Sequence, residues 1–507
     1  MNQKQWGIVF SYLNLIAGIF VNVFITPLMI VSLGDVHFSL YKVMQSFAGP
    51  LSMFNLGIST IVARSIVTCN EINDCNAKRE KQNTMAMALI STLVMVVIVC
   101  IAGIIMLYLI PNIYGGSYSS EDIDIGQKIF IAFIGSTIFH MLTDAFSGCL
   151  LGREKFVFSS FIQLFRTALR LLLWFVLLKM GIGVIGIACV DLLISFVVLV
   201  MSGIYAVFIL KETPHLYYFD IKRIKEILLF GFSILLQAII NQVNNNADTM
   251  ILGSCVEDKV IITMYSSALT IYSLYNSLIS VISHFFLPKA TRLVNCNASG
   301  EELTDFVIAP GRFQAVLAVA CIFGFALFGK NFISIWIGDK YIDSYWVTLI
   351  LMIPVTIPLV ENAMISVLDA SLKRIYRSVT LAIMALINVV VSIFLIRVIG
   401  FWGAALGTVI SLIVGHGFLM NIYYSKTFQL NISRMFSSIF KGILPAGIVT
   451  AVLCIPLAIF LPNTILGFIV KCVSFVLVYF LFLLLFGFNA SEKNKIKRII
   501  KWKHNES

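Results

Sequence analysis

The sequence specifies an all-α polytopic membrane protein. It is expected to have about fourteen transmembrane helices, with two parallel-repeat six-helix lobes around a central cavity and two extra C-terminal helices. Three observations carry this. Of 507 residues, 59% are hydrophobic and only 12% charged, about half the charged share of a soluble chain. Apolar runs long enough to cross a bilayer recur along the whole chain. The second half restates the first about 220 residues later.

The apolar runs lie near 6–30, 38–62, 84–110, 127–151, 157–178, 181–208, 227–252, 261–286, 311–336, 345–369, 376–396, 401–424, 439–461 and 465–487. No small-residue cleavage site follows the first run, which is therefore expected to stay as a span. The longest loops are 63–83, 209–226 and 287–310, and no soluble domain is inserted. The organisation expected is a first lobe at 1–208, a linker at 209–226 and a second lobe at 227–424. Spans thirteen and fourteen follow at 425–487, then a basic tail at 488–507. Within the linker, Phe219 to Ile227 alternates apolar and basic residues at helical spacing, the pattern of an amphipathic helix on the inner membrane surface.

Charge fixes orientation. Sorting Lys and Arg by loop puts 26 on one side, including Arg64, Lys78, Arg79, Lys81, Arg312 and the tail from Lys493 to Lys503. The other side holds seven, beside the acidic stretch Glu121, Asp122, Asp124. The basic side is cytoplasmic by the positive-inside rule, and an even number of spans then places both termini there. The net charge of +11 is thus mostly topology, not a nucleic-acid surface. The ten cysteines form no CxxC pair and have no His partner at ligand spacing, so neither a metal site nor a disulfide framework is expected.

The repeat is visible in short motifs. Ile113-Tyr114-Gly115-Gly116-Ser117-Tyr118 has a counterpart in Ile335-Trp336-Ile337-Gly338-Asp339-Lys340-Tyr341. Gly183 to Ala188 opens span six as Gly400 to Ala405 opens span twelve. Six spans separate each pair, so both halves point the same way through the membrane.

Polar residues inside the spans mark where function is to be sought, because each is costly in hydrocarbon unless it meets protein or water. Gln237, Asn241, Asn244 and Asp248 share one face of span seven, and Asn14 and Asn22 mark the matching face of span one. Two readings stand, hydrogen bonding between helices or the polar lining of a cavity. Span five carries Arg166 and Arg170 one turn apart, with Gln163 on the same face and Trp174 beside them. Arginine stays charged at any physiological pH and its fork matches phosphate oxygens. The pair is either an anion site suited to pyrophosphate or an internal ion pair. Span four brings Asp144 to about the depth of Arg166, and His140 to that of Arg170. Asp144, Asp191 in span six and Glu361 in span ten are candidate carriers of a coupling proton or sodium ion, or else salt-bridge partners.

No GxxxxGK[ST], GxSxG or HExxH motif occurs, so ATP hydrolysis by a phosphate loop and the common hydrolase chemistries are excluded. Transport is the natural reading. Pro27-Leu28-Met29-Ile30-Val31-Ser32-Leu33-Gly34, Leu40-Tyr41 and Phe54-Asn55-Leu56-Gly57-Ile58 resemble the opening of bacterial polysaccharide-unit flippases. Asn244 to Gly253, Tyr265-Ser266, Leu287-Pro288 and Arg292 are similar to that family's later motifs, so the resemblance covers most of 10–420. It implies the Wzx-type branch of the multidrug/oligosaccharidyl-lipid/polysaccharide exporters, which share the MATE-like fold. Such proteins are non-enzymatic transporters of the bacterial inner membrane. They move undecaprenyl-pyrophosphate-linked oligosaccharide, an O-antigen or capsule unit, to the periplasmic leaflet by alternating access. No cofactor is implied beyond a coupling proton or sodium ion; the partners implied are membrane lipids, a polysaccharide polymerase and a chain-length regulator. A MATE-like drug–cation antiporter is the nearest alternative. An alternative from another class is a membrane polymerase or ligase acting on the same lipid carrier.

Overall fold

The structure is a computed structural model. It describes residues 3–51, 58–59, 62–63, 66, 77–153, 155–211, 213–219, 244, 246–280, 287–371, 373–489 and 492–493. Every regular element among them is helical. Among the described residues ten helices are long and apolar enough to cross a membrane, and Ser344–Val360 is a shorter apolar helix. The chain divides into two units, Met1–Ser266 and Ser267–Ser507.

In unit 1, α1 (Gln3–Ala48) joins the first two expected spans across a break at Gly34, whose φ of 72° is open to glycine at little cost. Then follow α2 (Ala77–Tyr114), α3 (Ser120–Gly152), α4 (Phe156–Lys179) and α5 (Val184–Ile204), which ends in a π turn at Tyr205–Ile209. Ser119 caps α3 by accepting from the backbone of Asp122. α1 packs along α4 and α3, and α3 along α5. Residues 246–255 close the seventh expected span, and α6 (Lys259–Ser280) begins in this unit. The basic connector from Asp220 onward lies outside the described residues. The segment before it is fastened to the start of α2, where Asn83 Oδ1 accepts from the amides of Tyr217 (2.9 Å) and Tyr218 (3.2 Å).

Unit 2 contains α7 (Leu287–Asn295), α8 (Gly300–Trp336), α9 (Ser344–Val360), α10 (Ala363–Ala370) and α11 (Arg374–Ile399). Next come α12 (Trp402–Leu412), a π segment at Ile413–Met420 and α13 (Asn421–Phe428). The chain closes with α14 (Ile432–Phe440), α15 (Ile443–Phe460) and α16 (Ile465–Phe482). The stretch 287–310, expected as a loop, is instead α7 and the first turns of α8. A reciprocal capping box between Ser299 and Glu302 starts α8 well before the apolar run, with Pro310 inside it. Arg312, counted as a loop charge, is 2% exposed and bound on every N–H. It donates to Glu492 Oε1 (2.8 Å) and Oε2 (3.1 Å), and to the carbonyls of Ser438 (2.7 Å), Lys441 (3.1 Å) and Gly487 (2.7 Å). That knot ties both extra spans to α8.

The internal repeat is written in geometry inside each unit. Gly181 (φ 69°) ends α4 and Gly400 (φ 67°) ends α11, at equivalent places in the two halves. Phe158 stacks on Tyr205 at 3.6 Å between centroids, joining the ends of α4 and α5; Tyr376 stacks on Tyr423 at 3.9 Å, joining α11 and α13. Both stacks sit beside a π segment. The offset between the halves is the same for both pairs.

Candidate functional site: a cation cluster in the first unit

α4 carries the two arginines expected from sequence, and α1 and α5 supply their surroundings. Arg170 Nη2 donates to Asp191 Oδ2 at 2.9 Å, while its Nε lies 2.8 Å from Oδ1, too oblique for a hydrogen bond. Tyr41, wholly buried on α1, donates its hydroxyl to the same Oδ2 at 3.1 Å. Trp174, one turn along α4, sets its ring 4.3 Å from the Arg170 guanidinium carbon, a cation–π contact, and meets Tyr41 edge-on at 6.2 Å. Asp191 is thus the direct partner of Arg170. Asp144 and His140 lie within electrostatic reach of the arginines without bonding them: Asp144 and Arg166 act on each other, and both arginines act on His140.

The charges around this pair do not balance. Arg166 and Lys42 are half-buried, and neither forms a hydrogen bond or ion pair with a described residue. Lys42 sits 5.6 Å from the Phe38 ring and feels the charge of Arg170. Among the described residues, three cations therefore face two acids, Asp144 and Asp191. Such a cluster is chemically suited to an anion, because one more negative charge would relieve the repulsion among the cations. Gln163, expected beside the arginines, is exposed on α4.

The polar stripe of span seven is only partly described. Gln237 and Asn241 lie outside the described residues, as do the side chains of Asn14 and Asn22. Asn244 is helical and half-buried. Asp248 is 4% exposed and accepts from the Tyr265 hydroxyl at 2.6 Å, so this acid is tied to α6.

Unit 2 holds the remaining candidate acid. Glu361 marks the break between α9 and α10, is 2% exposed, and its carboxylate oxygens accept no hydrogen bond from a described residue. Asn421 is near enough to act on it, yet spends its amide on the carbonyls of His416 (2.9 Å) and Gly417 (3.3 Å) in the π segment. A buried acid that accepts so little from the described residues is costly and marks a place where a proton or cation is wanted. Among the described residues no cluster of His, Cys, Asp and Glu could hold a metal ion.

The sequence places Arg166, Arg170 and Gln163 on one face with Trp174 beside them. It does not reveal Tyr41 as the hydroxyl that shares Asp191, since nothing in the sequence links two positions 150 residues apart.

With this geometry established, comparisons with known proteins add a lineage. Residues 5–295 match a family model described as "Polysaccharide biosynthesis protein". No curated protein sequence matches the chain. Among solved structures the fold is similar to that of the lipid II flippase MurJ in an inward closed conformation. Its TM-score is 0.74 at 16% identity, over 94% of this chain and 97% of that one. It is also similar to an inward-facing multidrug resistance MATE transporter of the MOP superfamily, with TM-score 0.64, 15% identity and 82% and 96% coverage. The eukaryotic MATE transporter AtDTX14 matches at TM-score 0.58 and 14% identity, over 85% and 99%. The helical architecture expected from the apolar runs is therefore that of a known membrane-transporter fold.

Proposed function

Because the chain belongs to the polysaccharide biosynthesis protein family, we propose that it is a flippase for undecaprenyl-pyrophosphate-linked oligosaccharide, an O-antigen or capsule unit. It carries the headgroup from the cytoplasmic to the periplasmic leaflet of a bacterial inner membrane by alternating access between its two lobes, and both termini are cytoplasmic. The observation that carries this reading is the surplus of positive charge in unit 1. Asp191, which also accepts from Tyr41, occupies Arg170; that leaves Arg166 and Lys42 as cations for a pyrophosphate, with Arg170 holding the group in place. Gln163 joins the arginines at the pyrophosphate, and the amides of span seven, with Asn14 and Asn22, serve the sugar hydroxyls. Glu361 in unit 2 is the coupling candidate, for a proton or a sodium ion, ahead of the paired Asp191 and of Asp144 in the cation cluster. A polymerase and a chain-length regulator are the protein partners that suit such a carrier.

The test is a leaflet-accessibility assay in a deletion strain. The intact chain should restore lipid-linked oligosaccharide to the periplasmic face, and Arg166→Ala, inserted at equal level, should not. Equal restoration by both would remove Arg166 from the site. A second reading, a MATE-like cation antiporter, is favoured by one observation, the buried acid Glu361, whose oxygens accept no hydrogen bond from a described residue. It predicts that the intact chain lowers cellular dye accumulation and leaves lipid-linked oligosaccharide where it was.

A further inference from the structure

The transport reading leaves the motif Tyr114-Gly115-Gly116-Ser117-Tyr118, at the turn between α2 and α3, without a role. In unit 1 this turn holds the residues that lead from the seventh expected span into α6. Tyr114 Oη donates to the Met250 carbonyl at 3.5 Å, and Ser117 Oγ to the Ser254 carbonyl at 3.1 Å. Tyr118 Oη donates to Ser39 Oγ at 3.2 Å; Ser39 is fully buried and donates in turn to the Val36 carbonyl at 2.9 Å, just beyond the Gly34 break. Lys259, the first residue of α6, sets its ammonium 3.5 Å from the centre of the Tyr118 ring. Burial pushes the Tyr118 phenol up to about 12. Burial also brings Lys259 down to about 8, against the pull of Asp122, Glu257 and Asp258. At neutral pH the phenol therefore still donates and the ammonium is still charged.

Gly253 completes the contact. A Cβ there would lie 2.7 and 2.9 Å from the Val43 methyls and 3.1 Å from Tyr114 Cε1, so only glycine permits this approach. By the repeat in the sequence, 246–259 opens the second half of the chain, whereas α1, α2 and the turn belong to the first. The bonds joining them are of a kind that water can replace: two hydroxyls on backbone carbonyls and one ammonium on a ring face. The Arg170–Asp191 bridge is of the opposite kind.

We propose that the Tyr114–Tyr118 turn is a latch on the face that the loop charges assign to the outside, closed in this structure, and that it releases residues 246–259 to let cargo leave. The inference rests on the transport reading only in that something must pass this face. It does not depend on what the cargo is.

The reporter is Ser39→Cys, shielded by Tyr118 and labelled from outside with a membrane-impermeant maleimide. Peptide mass spectrometry quantifies the labelling, so that the introduced thiol alone is read. Within that background, Lys259→Ala and Gly253→Val are each expected to raise the labelling rate several-fold, and Tyr118→Phe to raise it less. Separately, Ser117→Cys with Ser254→Cys, bridged by a cleavable bifunctional maleimide, is expected to stop exposure of lipid-linked oligosaccharide until the bridge is cut. Unchanged labelling of the reporter in both Lys259→Ala and Gly253→Val, or full-rate transport by the bridged chain, would overturn the latch. If the intact chain exposes no lipid-linked oligosaccharide yet reporter labelling rises as expected, the latch stands and the substrate assignment fails.

Discussion

The same helix pair is joined by charge in unit 1 and by neutral groups in unit 2. In unit 1, Arg170 on α4 binds Asp191 on α5. At the matching step of the repeat, Asn388 on α11 donates to Thr408 on α12 at 2.7 Å. The surrounding features are kept: an aromatic stack near one end of the pair and a left-handed glycine near the other. A neutral hydrogen bond therefore suffices to join this pair of helices. Burying an ion pair gives little stability over a neutral or apolar replacement, because desolvation consumes most of the Coulombic gain. On the proposed reading the charge in unit 1 serves something other than packing: the bridge spends one arginine to hold a cationic surface in place, beside Arg166, which no described residue pairs.

The comparison can be broken most forcefully at Asp191. Asp191→Ala strands Arg170 without its counter-ion. The arginine side chain is 30% exposed, so the loss should fall below the ~3–5 kcal/mol of a fully buried broken pair, on the order of 2 kcal/mol. Thermal unfolding in detergent should show it as a clear drop in Tm. Importing the neutral pair of unit 2 sharpens the point. Arg170→Asn with Asp191→Thr should keep stability within about 1 kcal/mol of the parent while transport falls at least as far as in Arg166→Ala. If the double variant transports normally, the bridge is only packing.

Arg166→Ala comes next, with a stability change of about 0.5 kcal/mol or less against a transport loss of roughly tenfold or more, the worth of one charge-assisted contact. Separating the two readouts distinguishes a binding cation from a structural one. Glu361→Gln tests the other half of the asymmetry. It should leave the protein folded and remove the dependence of transport on an imposed ion gradient, measured in proteoliposomes. Smallest of all, Asn388→Ala should cost about 1 kcal/mol of stability and leave substrate handling untouched.

Much of this was legible in the sequence, for reasons that are physical. A run such as 376–396 has no other stable place than a bilayer or a core, and α11 covers it. The helix start inside the expected loop at 287–310 was legible too, since Ser299 and Glu302 spell a capping box. Arg312 was not, because basic residues at span ends usually meet water, and only the fold brings Glu492 and three carbonyls around this one.

The amino-acid sequence by itself determined that the chain crosses a membrane many times, that its halves repeat, and that span five bears two cations too costly to face lipid. Those follow from composition and period, which act locally along the chain. Only the tertiary structure decided that Asp191, and not Asp144 on the antiparallel neighbour, answers Arg170, that Tyr41 shares the carboxylate, and that Asp248 is held by Tyr265. Depth along a span can be counted from residue numbers. Which face of which helix turns toward it is set by packing across segments that the sequence keeps far apart.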